Sequence, residues 1–339
     1  MRARLRDFLR FIRVLTGSKC WNAVRVWFHF QLAKRLKWNG SPGLPISMSV
    51  EPTTACNLGC PECPSGLKQF NRPTGNLKMN HFEKWIVEWK KHLVHLNFYF
   101  QGEPFIHPQI LQMVSLAKQN GIYTAISSNG HFFSEKVVDQ LIDSGLDRLI
   151  ISMDGFSQSV YEQYRINGNV EEVKAGVERL LAARRIKNKG PYIILQVLVV
   201  KPNEKEVEHI KGWAKKLGID QVKLKTAQLY HPHENHPLMP EQEKYRRYEP
   251  TENGEWRIKN ELGNQCWRLW SGCVITWDGR VVPCCFDKDA KYDMGNLNDA
   301  SLKEIWNHDP YRRFRKKLLL GRKEIDICSN CSEGTKVWA

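Results

Sequence analysis

Glu51-Pro52-Thr53-Thr54-Ala55-Cys56-Asn57-Leu58-Gly59-Cys60-Pro61-Glu62-Cys63 is the stretch on which the reading of this chain turns. It places three thiols at C-x3-C-x2-C spacing directly after a strand-like run, residues 46–51. Thiolates are the usual ligands of iron–sulfur clusters. A structural zinc site is closed by four ligands, and the nearest downstream histidine is as far off as His81. Three thiols in one loop therefore suggest a [4Fe–4S] cluster with one iron left open to a further ligand. The rival readings are a zinc loop that borrows a distant ligand, or three unrelated cysteines.

Outward from this loop, strand-like and helix-like runs alternate. Candidate strands are 46–51, 96–100, 123–127, 148–153, 192–200 and 221–226, and candidate helices are 81–91, 108–119, 134–144, 170–187 and 204–217. Six strands separated by helices predict βα units and a parallel sheet, an α/β fold. An open doubly wound sheet and a partial barrel both satisfy the pattern, and in either case ligands gather where strands end.

The stretch from Glu51 to Cys63 resembles the signature loop of the radical S-adenosylmethionine (SAM) superfamily. That resemblance implies a (βα)6 partial TIM-type barrel over 44–228, with Cys56, Cys60 and Cys63 holding three irons of a [4Fe–4S] cluster and SAM chelating the fourth. One-electron cleavage of SAM would give a 5′-deoxyadenosyl radical that abstracts a substrate hydrogen, fed by an electron donor such as flavodoxin or ferredoxin. Gly102-Glu103-Pro104 resembles the family's Gly-Glu-Pro motif, with Glu103 expected on the SAM amino group. Asn129, in Ser128-Asn129-Gly130, matches the loop after the third strand. Ser152 and Asp154 match contacts to the SAM carboxylate and ribose, and Arg165 matches a carboxylate-binding arginine. One position departs: the residue before the third cysteine is often aromatic and near the adenine, and here it is Glu62.

The last quarter holds Cys266, Cys273, Cys284, Cys285, Cys328 and Cys331, with short strands expected at 273–277 and 280–283 and a helix at 302–307. So many thiols in a small segment predict a module held by metal more than by a large core. Its wording resembles a SPASM module (residues 262–339), which implies one auxiliary [4Fe–4S] cluster on Cys266, Cys284, Cys328 and Cys331. Six thiols are too few for two fully ligated clusters, and Cys273 and Cys285 remain spare. Adjacent Cys284 and Cys285 point opposite ways if extended, so one of them should ligate, and Cys284 is preferred. A connector, 229–261, carries His231, His233 and His236 in a Pro-broken run expected to be a solvated loop. Asp287 is a candidate acid–base residue from its place after Cys284-Cys285, and isolated Cys20 is expected to be a small buried side chain.

The chain has 339 residues with 42% apolar and 26% charged, which excludes wholesale disorder and fibrous classes. Its net charge of +15 is uneven. Residues 1–40 carry ten Lys/Arg against one acid, Asp7, and the remainder shares only +6. Two short helices are expected in this extension (1–43), which ends in the breaker cluster Asn39-Gly40-Ser41-Pro42-Gly43. It is read either as an anionic-membrane contact, a grip on an acidic partner or nucleic acid, or a cover over the barrel edge. No apolar run is long enough to span a bilayer, and the N-terminus has no secretory h-region, so a reducing cytoplasmic setting is expected, with membrane-peripheral contact open. The substrate stays open among peptide or protein, sugar or alcohol, and lipid-linked small molecules. The alternative class is a zinc-ribbon protein that binds nucleic acid through its charge; for the enzyme reading, nucleic acid is not expected as a partner.

Overall fold

A computed structural model describes residues 2–40, 42–259 and 263–331. Ser41 of the breaker cluster, residues 260–261 of the connector, and residues 262 and 332–339 of the C-terminal module lie outside the described residues. Strands β1 (Ser47–Val50), β2 (His95–Asn97), β3 (Tyr123–Ser128), β4 (Arg148–Ser152), β5 (Tyr192–Val199) and β6 (Gln221–Thr226) pair parallel in chain order. Helices Met79–Trp89, Ile110–Gln119, Glu135–Asp143, Val170–Ile186 and Val207–Leu217 separate them. The result is the partial barrel expected from the sequence, open beyond β6. β5 is buried at every position but Gln196 and Leu198, as a strand covered on both faces must be. Two of these helix starts are set by side-chain caps: Ser134 accepts from the Val137 amide at 3.4 Å, and Asn169 accepts from the Glu171 amide at 2.9 Å. β2 ends earlier than the apolar run 96–100 suggests, because the chain turns out of the ladder there towards Gly102.

The connector contributes a small hairpin, β7 (Tyr248–Pro250) with β8 (Trp256–Ile258). The cysteine-rich segment then joins the barrel itself. β9 (Gly272–Ile275) lies parallel beside β1, and β10 (Val281–Val282) runs antiparallel to β9, so one eight-stranded sheet reads β10-β9-β1-β2-β3-β4-β5-β6. Gly272 is required at this seam: a Cβ there would stand 2.0 Å from the Ser47 carbonyl oxygen. Trp270, Ile275, Trp306 and Tyr311 belong to the same hydrophobic core as Phe82, Leu96 and Leu149. The segment is therefore also packed through apolar contacts with the barrel, a tie that its cysteine spacing does not record.

Helices α1 (Arg2–Arg13) and α2 (Gly17–Leu36) pack at the end of the barrel where strands begin. Arg10 donates to the carbonyls of Asp147 at 3.3 Å and Gly190 at 2.8 Å, both just ahead of β4 and β5. Lys19 donates to Gly121 at 2.6 Å ahead of β3, and Asn22 exchanges two 2.8 Å bonds with Leu44 ahead of β1. Asp7 pairs with Arg148 at 2.5 Å and accepts from the Tyr123 hydroxyl. Cys20 is exposed on α2 rather than buried, because the buried residues of that helix are Lys19, Asn22, Val26 and Ala33. Among the described residues no helix is long and apolar enough to cross a membrane.

Candidate active site

The loop after β1 is fastened before any cofactor is considered. The Thr53 hydroxyl accepts from the Ala55 amide at 3.0 Å, and the Gly59 amide donates to Ile166 at 2.9 Å. The Cys63 amide turns back to Cys60 at 3.2 Å, and the chain enters the short helix Pro64–Leu67. Gly102 has φ +72°, and a Cβ there would lie 2.4 Å from the Thr53 carbonyl oxygen. Glycine thus lets the turn after β2 press onto the cysteine loop. Two bonds weld them: Gly102 N–H to Ser65 Oγ at 2.8 Å and Glu103 N–H to the Ala55 carbonyl at 2.8 Å.

One cavity at the C-terminal ends of the strands is lined by Cys56, Cys60, Cys63, Gly102, Glu103, Asn129, Ser152 and Arg165. Glu103 is buried and accepts from Ser128 Oγ at 2.8 Å, the Asn129 amide at 2.7 Å and the Phe105 amide at 3.1 Å. Burial outweighs these bonds and pushes its carboxyl up to about 7. A buried carboxyl held by neutral donors and raised this far fits an ammonium group. Arg165 donates through Nε to Asp154 Oδ2 at 2.6 Å and through Nη1 to Cys60 Sγ at 3.8 Å. Its guanidinium lines the same cavity beside the cysteine loop, and its charge offsets part of the burial that pushes the Cys60 thiol up. Burial also pushes the Cys56 thiol up, to about 11. Three thiols in one loop beside the Arg165 guanidinium are a donor set that fits a thiolate-bound cluster.

Two sequence candidates stand off the cavity wall. Asp154 is buried, with Oδ1 taken by the Leu198 amide at 2.6 Å and Oδ2 by Arg165. Pro104 opens the short turn Pro104–Ile106 that Glu103 caps. Conversely, Ser65, Gly66 and Ser127 line the cavity without having been singled out. Asn57 does so indirectly, accepting from Asn129 Nδ2 at 2.7 Å. These residues lie beside the quoted motifs, where residue type and spacing carry no signal of their own. Glu62 anchors the connector: its carboxylate accepts from the Tyr230 amide at 3.1 Å and lies 3.6 Å from His236 Nε2. The histidine loop is thereby tied to the cysteine loop, with His231 and His233 exposed.

The second thiol group forms around Cys284. Burial pushes Cys284 well above the usual thiol range, with neighbouring Cys285, Cys266 and Cys331 adding to the rise. Cys328 is pushed up to about 12 by burial, offset in part by Arg322, with Cys331 and Cys266 adding. Cys266, Cys284, Cys285, Cys328 and Cys331 thus share one neighbourhood. Cys285 accepts from Arg268 at 3.7 Å, and buried Cys273 lies with Tyr311 and Arg315 instead. Asp287 accepts from the Lys291 and Tyr292 amides at 2.8 and 2.9 Å, so it holds a turn. Among the described residues no three His, Cys, Asp or Glu side chains are close enough to share one metal ion.

Residues 50–218 match the radical SAM superfamily, and residues 266–332 match the SPASM iron–sulfur cluster-binding domain. A tungsten-containing aldehyde ferredoxin oxidoreductase cofactor-modifying protein of Pyrococcus furiosus is 27% identical, over 84% of this chain and 86% of that protein. The PqqA peptide cyclase of Gluconobacter oxydans is 25% identical, over 88% and 85% respectively. Streptococcus suis SuiB bound to S-adenosylmethionine shares the fold at a TM-score of 0.61 and 15% identity, over 91% of this chain and 76% of that one. Nothing in these similarities supports a zinc-ribbon nucleic-acid-binding protein.

Proposed function

The chain belongs to the radical SAM superfamily and carries a SPASM domain, and from that premise we propose a hydrogen-abstracting enzyme whose cofactor contacts are those named below. It is an enzyme that uses SAM, a core [4Fe–4S] cluster and an auxiliary [4Fe–4S] cluster. When bound, cluster and SAM together supply a 5′-deoxyadenosyl radical by one-electron cleavage. The chain's own residues bind, orient and shield. Cys56, Cys60 and Cys63 hold the core cluster, and Glu103 accepts from the SAM ammonium. Arg165 faces the SAM carboxylate, kept in place by Asp154. Asn129 and Ser152 offer polar contacts on the cavity wall, while Gly102 and Pro104 set the turn that carries Glu103. Cys266, Cys284, Cys328 and Cys331 hold the auxiliary cluster. The working division is an extension (1–43), a radical SAM core (44–228), a connector (229–261) and a SPASM module (262–339).

The observation that carries this reading is a shared cavity: three thiols, a buried carboxyl raised in pKa and a guanidinium meet where the parallel strands end. The peptide-cyclase relative supports a peptide or protein substrate over a sugar or alcohol. A flavodoxin- or ferredoxin-type protein is the proposed electron source. Anaerobic reconstitution should load about eight irons, at four per cluster, and dithionite should then release 5′-deoxyadenosine from SAM. Cys56→Ala should abolish that release, whereas Cys328→Ala should leave the core cluster's absorbance. A fully iron-loaded protein that yields no 5′-deoxyadenosine would overturn the proposal.

A further inference from the structure

The end of the barrel opposite the cofactor cavity has a surface that the chemistry does not use. α1 and α2 dock with polar groups inward beside a few apolar ones, Val26 and Ala33 on α2 and Val14 just after α1. Asp7, Arg10, Lys19 and Asn22 are spent on Arg148, Tyr123 and the carbonyls that precede the strands. The apolar stripe of α1, Leu5, Phe8, Leu9 and Ile12, falls at i, i+3, i+4 and i+7 and faces outward, with Phe8 58% exposed. α2 likewise turns Trp21, Trp27, Phe28 and Leu36 outward, with Trp21 66% exposed. A groove of about 460 Å³ runs along α2 between Trp27, Leu32 and Leu36. An apolar surface of this extent marks an interaction site.

Charge decides the occupant. Arg4, Arg6 and Arg13 on α1 and Arg25, Lys34 and Arg35 on α2 are all exposed beside the apolar side chains. The one acid of residues 1–40, Asp7, is turned inward, so neither helix carries an outward carboxylate. A cleft of about 360 Å³ lined by Arg6, Arg10, Arg184 and Arg185, against Asp7 and Asp220, extends the basic rim onto the barrel. A second copy of this chain would set the positive surface against itself. Tryptophan and phenylalanine beside arginine suit the headgroup boundary of a bilayer. We propose that α1 and α2 form an in-plane docking surface for an anionic lipid bilayer, which leaves the cofactor cavity facing away from the membrane.

The full chain should float with vesicles of phosphatidylcholine containing roughly a third phosphatidylglycerol, and partition at least about tenfold less onto phosphatidylcholine alone. Binding should fall as added salt shortens the screening length. Replacing Arg6, Arg13, Arg25 and Arg35 by Gln should lower partition about fivefold per charge removed. A Leu5/Phe8/Trp21/Trp27→Ser variant should lose binding at least about tenfold. These substitutions change exposed side chains only, and unaltered cluster absorbance and thermal midpoint check that each variant is folded. Equal partition onto both vesicles, no partition of the wild type, or undiminished binding by either variant overturns the proposal. So does a wild-type dimer that the apolar variant converts to monomer while vesicle binding is absent.

Discussion

Glu51 and Arg72 form a buried ion pair, a costly arrangement for single residues. Their side chains are essentially without solvent contact and meet through two bonds of 2.8 and 2.6 Å, with the Trp277 amide adding a third donor to Glu51 at 3.2 Å. Burial still pushes the Glu51 carboxyl above its usual range, Arg72 pulling the other way. Arg72→Met leaves a lone buried carboxyl and should cost about 3–5 kcal/mol. Adding Glu51→Gln should recover much of that loss in urea titrations, and equal midpoints for single and double variants would place the cost in packing instead. Glu103 is a different case, since its three donors hold an acceptor whose proposed partner is the SAM ammonium. Glu103→Gln should weaken SAM binding about 10- to 100-fold by equilibrium dialysis, with little change in the core cluster's absorbance; unchanged affinity would remove Glu103 from the binding wall. The cysteines and Gly102-Glu103 were legible because their types and spacing are rare together. Asp154 was named from its place after the fourth strand, but its bonds to Arg165 and Leu198 were not legible, because no local spacing records a contact that the folded chain makes.

Secondary elements were legible where each carries its own period, which is why six strands and five helices stand near their expected places. The union of β9 with β1 was hidden, since it joins segments from opposite ends of the sequence and depends on backbone contact at Gly272. Gly272→Ala should force that seam apart at a cost of about 3 kcal/mol, and the auxiliary cluster should be lost before the core one on mild heating. Simultaneous loss of both clusters would mean that the seam is not where the two halves separate. β2 carries a pH-dependent weakness at its start. His95 bonds to Ser47 Oγ at 3.0 Å, and burial, reinforced by Arg148, pushes its pKa down from 6.5 to about 4. The unfolded chain therefore takes up that proton first. The His95 contribution is complete above about pH 6.5 and declines as pH falls towards 4, by up to about 1.4 kcal/mol per unit. His95→Gln should flatten the fall in unfolding midpoint across that window, and an unaltered slope would assign it to other groups.

Across the whole molecule, the sequence showed where the excess charge lies and hid which way the helices face. A helical apolar stripe is ordinarily assigned inward, yet here the barrel end offers strand-start carbonyls, Arg148 and the Tyr123 hydroxyl as partners. Those groups take Asp7, Arg10 and Lys19 beside buried Val14, Val26 and Ala33, which leaves Leu5, Phe8, Leu9, Trp21 and Trp27 outward. The molecule then has two ends: a basic apolar one where strands begin, and the cofactor cavity with its connector where they finish. If the first end rests on lipid, protection from trypsin should divide along the same axis. Cleavage after Arg13, Arg25 and Arg35 should slow at least about tenfold on vesicles containing phosphatidylglycerol, because bilayer contact removes those side chains from the protease. Cleavage after Lys244 and Arg257 in the connector, both exposed, should proceed at the rate seen in solution. Slowing at the connector with no change at the helices would put the cavity, not the basic end, against the lipid and reverse the orientation.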